Sequence, residues 1–234
     1  MTNVYQDPCI YDSTGTLLTL LHWRTPSRAV WIPLLDTKLL PRLASGRKHE
    51  SYFPIAVADD RFHCIILKGG DQYPYFPRPL LSEFDFSVPL TSTPPKEPKA
   101  ADGADGEDGE DGEDEEEAER RRLEQAFLLK GLQAAQLRDA ADNDADDQGG
   151  AQTSALTRAE LDIDKTLLQL LAGECRAGEE RGMRALELVR LMRDRSGRMV
   201  EAAGKVAERY GRTVLGEKIR EIGEQRVNGM DEDF

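Results

Sequence analysis

Cysteine is scarce in this chain, and its three copies stand far apart. Cys9, Cys64 and Cys175 are odd in number and show no CxxC spacing. That excludes the usual zinc frames and a disulfide scaffold, and leaves buried, reduced thiols as the reading. Histidine is equally sparse. His22, His49 and His63 lie in the first part of the chain, outside any GxSxG, HExxH or comparable frame. No nucleophile–base pair can be assembled from them, so an enzyme is not expected. No apolar run approaches the roughly 20 residues that a spanning helix needs, and no charged-then-apolar leader opens the sequence. A soluble, intracellular protein with no membrane association is the expectation. Positive charge is in deficit too, the formal net charge being −13. Direct nucleic-acid binding relies on Lys and Arg displacing counterions, so it is not expected of this chain. Nothing calls for a metal or cofactor.

What is present is distributed in three parts. The first third is rich in aromatics, proline and β-branched residues, the middle is acidic, and the last third is rich in Ala, Leu, Glu and Arg. Short apolar runs bounded by Gly, Pro, Ser and Asp predict strands at Cys9 to Asp12, Thr16 to Trp23, Ala29 to Leu35, Tyr52 to Ala58, Phe62 to Leu67 and Leu80 to Pro89. In the last of these, alternation puts Phe84, Phe86 and Val88 on one face. Five or six strands are too few for a closed barrel or a whole propeller. Residues 1–91 therefore read as the end of a larger β-structure, the last blade or two of a propeller.

Residues 92–118 read as a disordered linker, Pro-rich and then acidic, because a run such as Asp102 to Glu117 has like charges to keep apart and nothing apolar to bury. Its repeat GADGEDGEDGE hints at calcium, but lacks the flanking helices and the twelfth-position Glu of an EF-hand loop. Helical periodicity then predicts segments at 119–141, 158–176, 182–193, 197–209 and 212–226, with a solvated loop over 142–155 and a frayed acidic tail over 229–234. Leu128, Leu132 and Ala135 mark the stripe of the first, widened by Leu123 and Phe127. Thr157 with Glu160 fits a capping box for the second. The fold class is thus mixed, β then α, ending in a bundle of about five helices. Small residues on these helices, among them Ala172, Gly173, Ala202 and Gly204, suit either tight internal packing, which periodicity alone favours, or the floor of a helix-binding groove.

The stretch Tyr52-Phe53-Pro54, then Cys64, Lys68-Gly69 and Pro77-Arg78-Pro79, in that order, resembles the end of a SepB-type propeller. LEQAFLL at Leu123 to Leu129, LLQLLAGEC from Leu167, RALELV up to Val189 and the Lys205 to Ile219 region resemble the helical bundle that follows it. The chain is thereby similar to the C-terminal region of the replisome adaptors called minichromosome loss protein or chromosome transmission fidelity protein four. The resemblance implies a nuclear, homotrimeric, non-enzymatic hub of the WD-repeat class. Its bundles would dock short peptide motifs of the replicative helicase assembly and of DNA polymerase alpha, with a related part in sister chromatid cohesion. It also implies a peptide groove built from one-turn pairs on two helices, which fall here on Leu168 with Ala172 and Ala202 with Val206, with Leu171 and Arg198 as neighbours. The amino-terminal propeller of the family and a basic HMG-like box have no counterpart in this sequence. The competing expectation is an acidic chromatin or histone binder acting through Asp102 to Glu119.

Overall fold

A computed structural model describes residues 1–3, 6–44, 50–74, 79–89, 110–143 and 149–230. The chain divides into two compact units, Met1–Ala104 with Ala135–Ala145, and Asp105–Ala134 with Asp146–Phe234.

The first unit holds two three-stranded antiparallel sheets. One runs β1 (Cys9–Tyr11), β2 (Thr16–Leu21), β3 (Val30–Asp36), the other β4 (Ser51–Ala58), β5 (Arg61–Leu67), β6 (Leu81–Asp85), each in sequence order. A single helical turn, α1 (Pro41–Ala44), follows β3. The β1–β2 turn is built by Asp12, whose Oδ1 accepts from the amides of Thr14 and Thr16 at 2.9 Å each. Gly15 has φ +90°, and a Cβ there would meet the Thr37 hydroxyl at 2.9 Å, so no other residue fits. Asp59 and Asp60 both adopt left-handed φ, 49° and 57°, the geometry of a two-residue hairpin turn between β4 and β5. Alternation buries Leu17, Thr19 and Leu21 on β2, and the shared core gathers Leu34, Leu35, Phe62 and Cys64. Tyr11 stacks on Phe62 at 5.1 Å. The last strand stops at Asp85, earlier than expected, because the Ser87 amide turns to the Leu34 carbonyl at 3.0 Å and bridges to the other sheet. Phe84, Phe86 and Val88 are half-buried, alternating with exposed neighbours as the sequence predicts.

The second unit is helical: α2 (Glu110–Asn143) as far as Ala134, α3 (Gly149–Ala177), α4 (Gly182–Leu191), α5 (Arg198–Arg209) and α6 (Thr213–Met230). Its core joins Ile163, Leu167, Leu171 and Cys175 of α3 to Val189, Val200, Ala203, Ala207 and Ile219. Each aliphatic side chain so covered contributes roughly 1.5–3 kcal/mol.

The expected linkers are shorter than the sequence suggests. α2 begins at Glu110 instead of 119, and α3 at Gly149 instead of 158, while 92–109 and 144–148 lie outside the described residues. The acidic start of α2 gains partners that local reading cannot see: Glu116 meets Arg176 at 3.5 Å, and Glu117 meets Arg121 one turn on. Thr157 is no cap. It lies inside α3 and its hydroxyl donates back to the Thr153 carbonyl at 2.9 Å, since Leu156 and Ala159 carry the apolar stripe further toward the N-terminus. Within α2 the packing falls on Leu123, Phe127 and Ala134, whereas Leu128 stays 37% exposed.

Candidate functional site

The residues of interest lie where α3 packs on α5. α5 is tied to α3 at both of its ends. Near the start of α5, the buried carboxylate of Asp164, from the middle of α3, accepts from the amides of Arg193 and Asp194 at 2.8 Å each, and Asp194 in turn accepts from the Met199 amide at 2.9 Å. Near the far end, the Arg212 guanidinium donates to the Cys175 carbonyl at 3.3 Å, and Arg176 hydrogen-bonds Tyr210. The two helices therefore run in the same direction. One turn back from Arg176 and Tyr210 come Ala172 and Val206; two turns back come Leu168 and Ala202. Each larger side chain is thus level with an alanine, and small residues let two helices approach closely.

All four of these residues are half-buried, Leu168 and Val206 packing partly against the core. Leu171 does not join them. It is 0% exposed, because it shares the inward stripe of α3 with Leu167 and Cys175, about 100° of helix rotation from Ala172. A ligand resting on the surface cannot touch it, and it is removed from the groove. Arg198 is exposed, one turn before Ala202.

A second depression, ≈ 700 Å³, lies between α2 and α3, and Ala172 lines it together with Leu123, Leu170 and Gly173. Sequence reasoning missed the contribution of α2. The available signal was Gly173, whose absent side chain leaves open space beside the helix. At its base Glu174, 3% exposed, stands 3.6 Å from Arg181 and 3.5 Å from Arg184. A third depression, ≈ 420 Å³, opens between the ends of α3, α4 and α6, with Met183 and Val214 on its rim.

Burial pushes the thiols of Cys9 and Cys175 up, and that of Cys64 to about 12, so none is a thiolate near neutral pH. Among the described residues no His, Cys, Asp and Glu group is arranged to hold a metal ion.

The fold defines a β-then-α chain that ends in a helical bundle. Residues 2–90 match the family described as minichromosome loss protein, Mcl1, middle region, and residues 121–229 match the DNA polymerase alpha-binding protein Ctf4, C-terminal domain. The chain belongs to this Mcl1/Ctf4 family and represents its C-terminal region. Minichromosome loss protein 1 of Schizosaccharomyces pombe is 40% identical over 214 residues, 91% of this chain and 23% of that protein. The DNA polymerase alpha-binding protein of Saccharomyces cerevisiae is 33% identical over 235 residues, 95% of this chain and 25% of that protein. The chain thus spans about a quarter of the length of these relatives.

Proposed function

We propose that this chain is the client-docking part of a replication adaptor, in which the α3–α5 trough receives short amphipathic helices from DNA polymerase alpha and from the replicative helicase assembly. One observation carries the reading: α5 is tied to α3 at both of its ends, and counting back by helical turns sets Leu168 level with Ala202 and Ala172 level with Val206. The name of the budding-yeast relative, DNA polymerase alpha-binding protein, supports the choice of client. The β unit is the end of a propeller in the longer protein. On the outer face of the first sheet, Ile10, Leu18, Leu20, Trp31 and Pro33 occupy adjoining register positions, half-exposed or exposed. A free-standing antiparallel sheet keeps that face polar. Homotrimer formation through such propellers, a nuclear location, a part in cohesion and a non-catalytic role complete the proposal. The acidic-chromatin reading is less favoured, since Glu116 of the acidic run is engaged by Arg176 within the bundle.

The test is titration of labelled polymerase-alpha peptides against the chain and its Ala172→Glu/Ala202→Glu variant. A docked helix buries a few apolar side chains and gives back much of that gain in ordering, so roughly micromolar affinity is expected. Two carboxylates desolvated against an apolar ligand should lower binding at least tenfold. Both positions are half-buried at the trough margin, so circular dichroism should be unchanged. Equal binding by the variant removes these residues from the site. Loss of helicity assigns them to the core.

A further inference from the structure

Most arginines of the bundle are engaged by their own fold. Arg121, Arg176, Arg184, Arg212 and Arg220 meet glutamates, and Arg226 donates to the carbonyls of Val189, Arg190 and Met192 at the end of α4. The turn that joins α4 to α5 departs from this pattern. Arg190, Arg193, Arg195 and Arg198 fall within nine consecutive positions and are all exposed. Among the described residues none of the four has a carboxylate within ion-pair distance. Neighbouring acids are committed elsewhere: Asp164 and Asp194 accept backbone amides, Asp162 pairs with Lys165 at 2.9 Å and Glu201 with Lys205 at 2.7 Å. Glu187, one turn before Arg190, is exposed and reaches no ion pair.

The backbone of the turn is also fixed. Asp164 holds the amides of Arg193 and Asp194, while Asp194 holds those of Ser196 at 2.9 Å and Met199. Four arginines are therefore displayed from a rigid turn and the helix ends that flank it, outnumbering the one carboxylate of the turn, Asp194, which is committed to backbone amides, in a chain whose net charge is −13. Averaged charge argues against a polyanion partner, but screening confines each charge to about 8 Å at physiological salt, so local excess decides.

We propose that the α4–α5 turn is a contact surface for the phosphate backbone of nucleic acid, with Arg190, Arg193, Arg195 and Arg198 as the phosphate ligands. Two observations favour this over an acidic peptide. All four are arginines, whose planar forks match phosphate oxygens in pairs. Between them a single exposed apolar side chain, Leu191 at 51%, is on offer: Met192 is 5% exposed and turned inward, and Asp194, Ser196 and Gly197 are small or polar. A peptide must bury apolar surface to offset its own ordering, whereas a phosphate chain needs only cations and released counterions. The inference does not depend on the peptide trough.

The experiment is anisotropy of a short fluorescein-labelled duplex titrated with the 234-residue chain between about 50 and 200 mM salt. Four phosphates at ~0.9 each predict a log K against log salt slope of about −3.6. Each Arg→Gln substitution should flatten the slope by about 0.9 and weaken binding alike for any sequence. Because all four side chains are exposed, circular dichroism should stay constant. No duplex binding at about 50 mM salt, or an unchanged slope in Arg193→Gln/Arg195→Gln, overturns the proposal. Binding of polyglutamate in preference to the duplex also overturns it, by making the turn an acidic-peptide site.

Discussion

Asp164 shows how much one side chain can organise. It is 1% exposed on α3, yet its two oxygens determine where the α4–α5 turn lies. Burial raises its carboxyl above the ordinary range, although the two amides pull the other way. A raised folded value means that this group favours folding most when protonated, and that this contribution is lost as pH rises through the folded value. Ionising the buried carboxyl therefore carries a cost that its two hydrogen bonds offset only in part. Asp164→Asn keeps the shape but turns an amide nitrogen toward one of the two donors, leaving a buried N–H unsatisfied. Urea denaturation at neutral pH should show a loss of about 1–3 kcal/mol. The deficit should widen on acidification, because wild-type stability rises as Asp164 takes up its proton while Asn does not titrate. A deficit independent of pH would mean that packing, and not the carboxylate, holds the turn.

At the scale of elements, α5 and α6 meet through glycine. A Cβ on Gly204 would find Arg220, the Gly216 carbonyl and Ile219 at 3.8–3.9 Å, which is ordinary contact. Gly204→Ala should therefore stabilise by about 0.5–1 kcal/mol through helix propensity, read as a higher Tm, while Gly204→Leu should force the pair apart. A lower Tm for the alanine variant would show that the interface admits no added atom. The six strands and five long helices were legible in the sequence because turn residues and apolar spacing are local signals. The starts of α2 and α3 were not. Their extra turns depend on Arg176 meeting Glu116 and on Leu156 reaching the core, both set by residues distant in sequence. The two one-turn pairs were legible as a spacing, but Leu168, Leu171 and Ala172 are all apolar or small, and only the direction of the core separates Leu171 from the others.

At the scale of the whole molecule, each unit has a core and a buried thiol to report on it, Cys64 in the first and Cys175 in the second. Burial sets Cys64 and Tyr52 both at about 12. Their neutral forms support folding fully below the ordinary values of about 8.5 and 10, and that support is lost as pH climbs toward 12. Thiol labelling near neutral pH should therefore spare the native protein. In a denaturant series Cys64 and Cys175 should react with separate midpoints, and alkaline pH should move the Cys64 midpoint to lower denaturant. Coincident midpoints at every pH would mean that the two cores melt as one. The tying of α5 to α3 at both ends has a consequence for how such a chain can change over generations. A residue inserted between Arg198 and Tyr210 would turn everything after it by about 100°, carrying Val206 off the trough while Asp164 and Arg176 stay where they are. Length variation within α5 should be purged, and homologous bundles should differ in length only outside the stretch between those two ties.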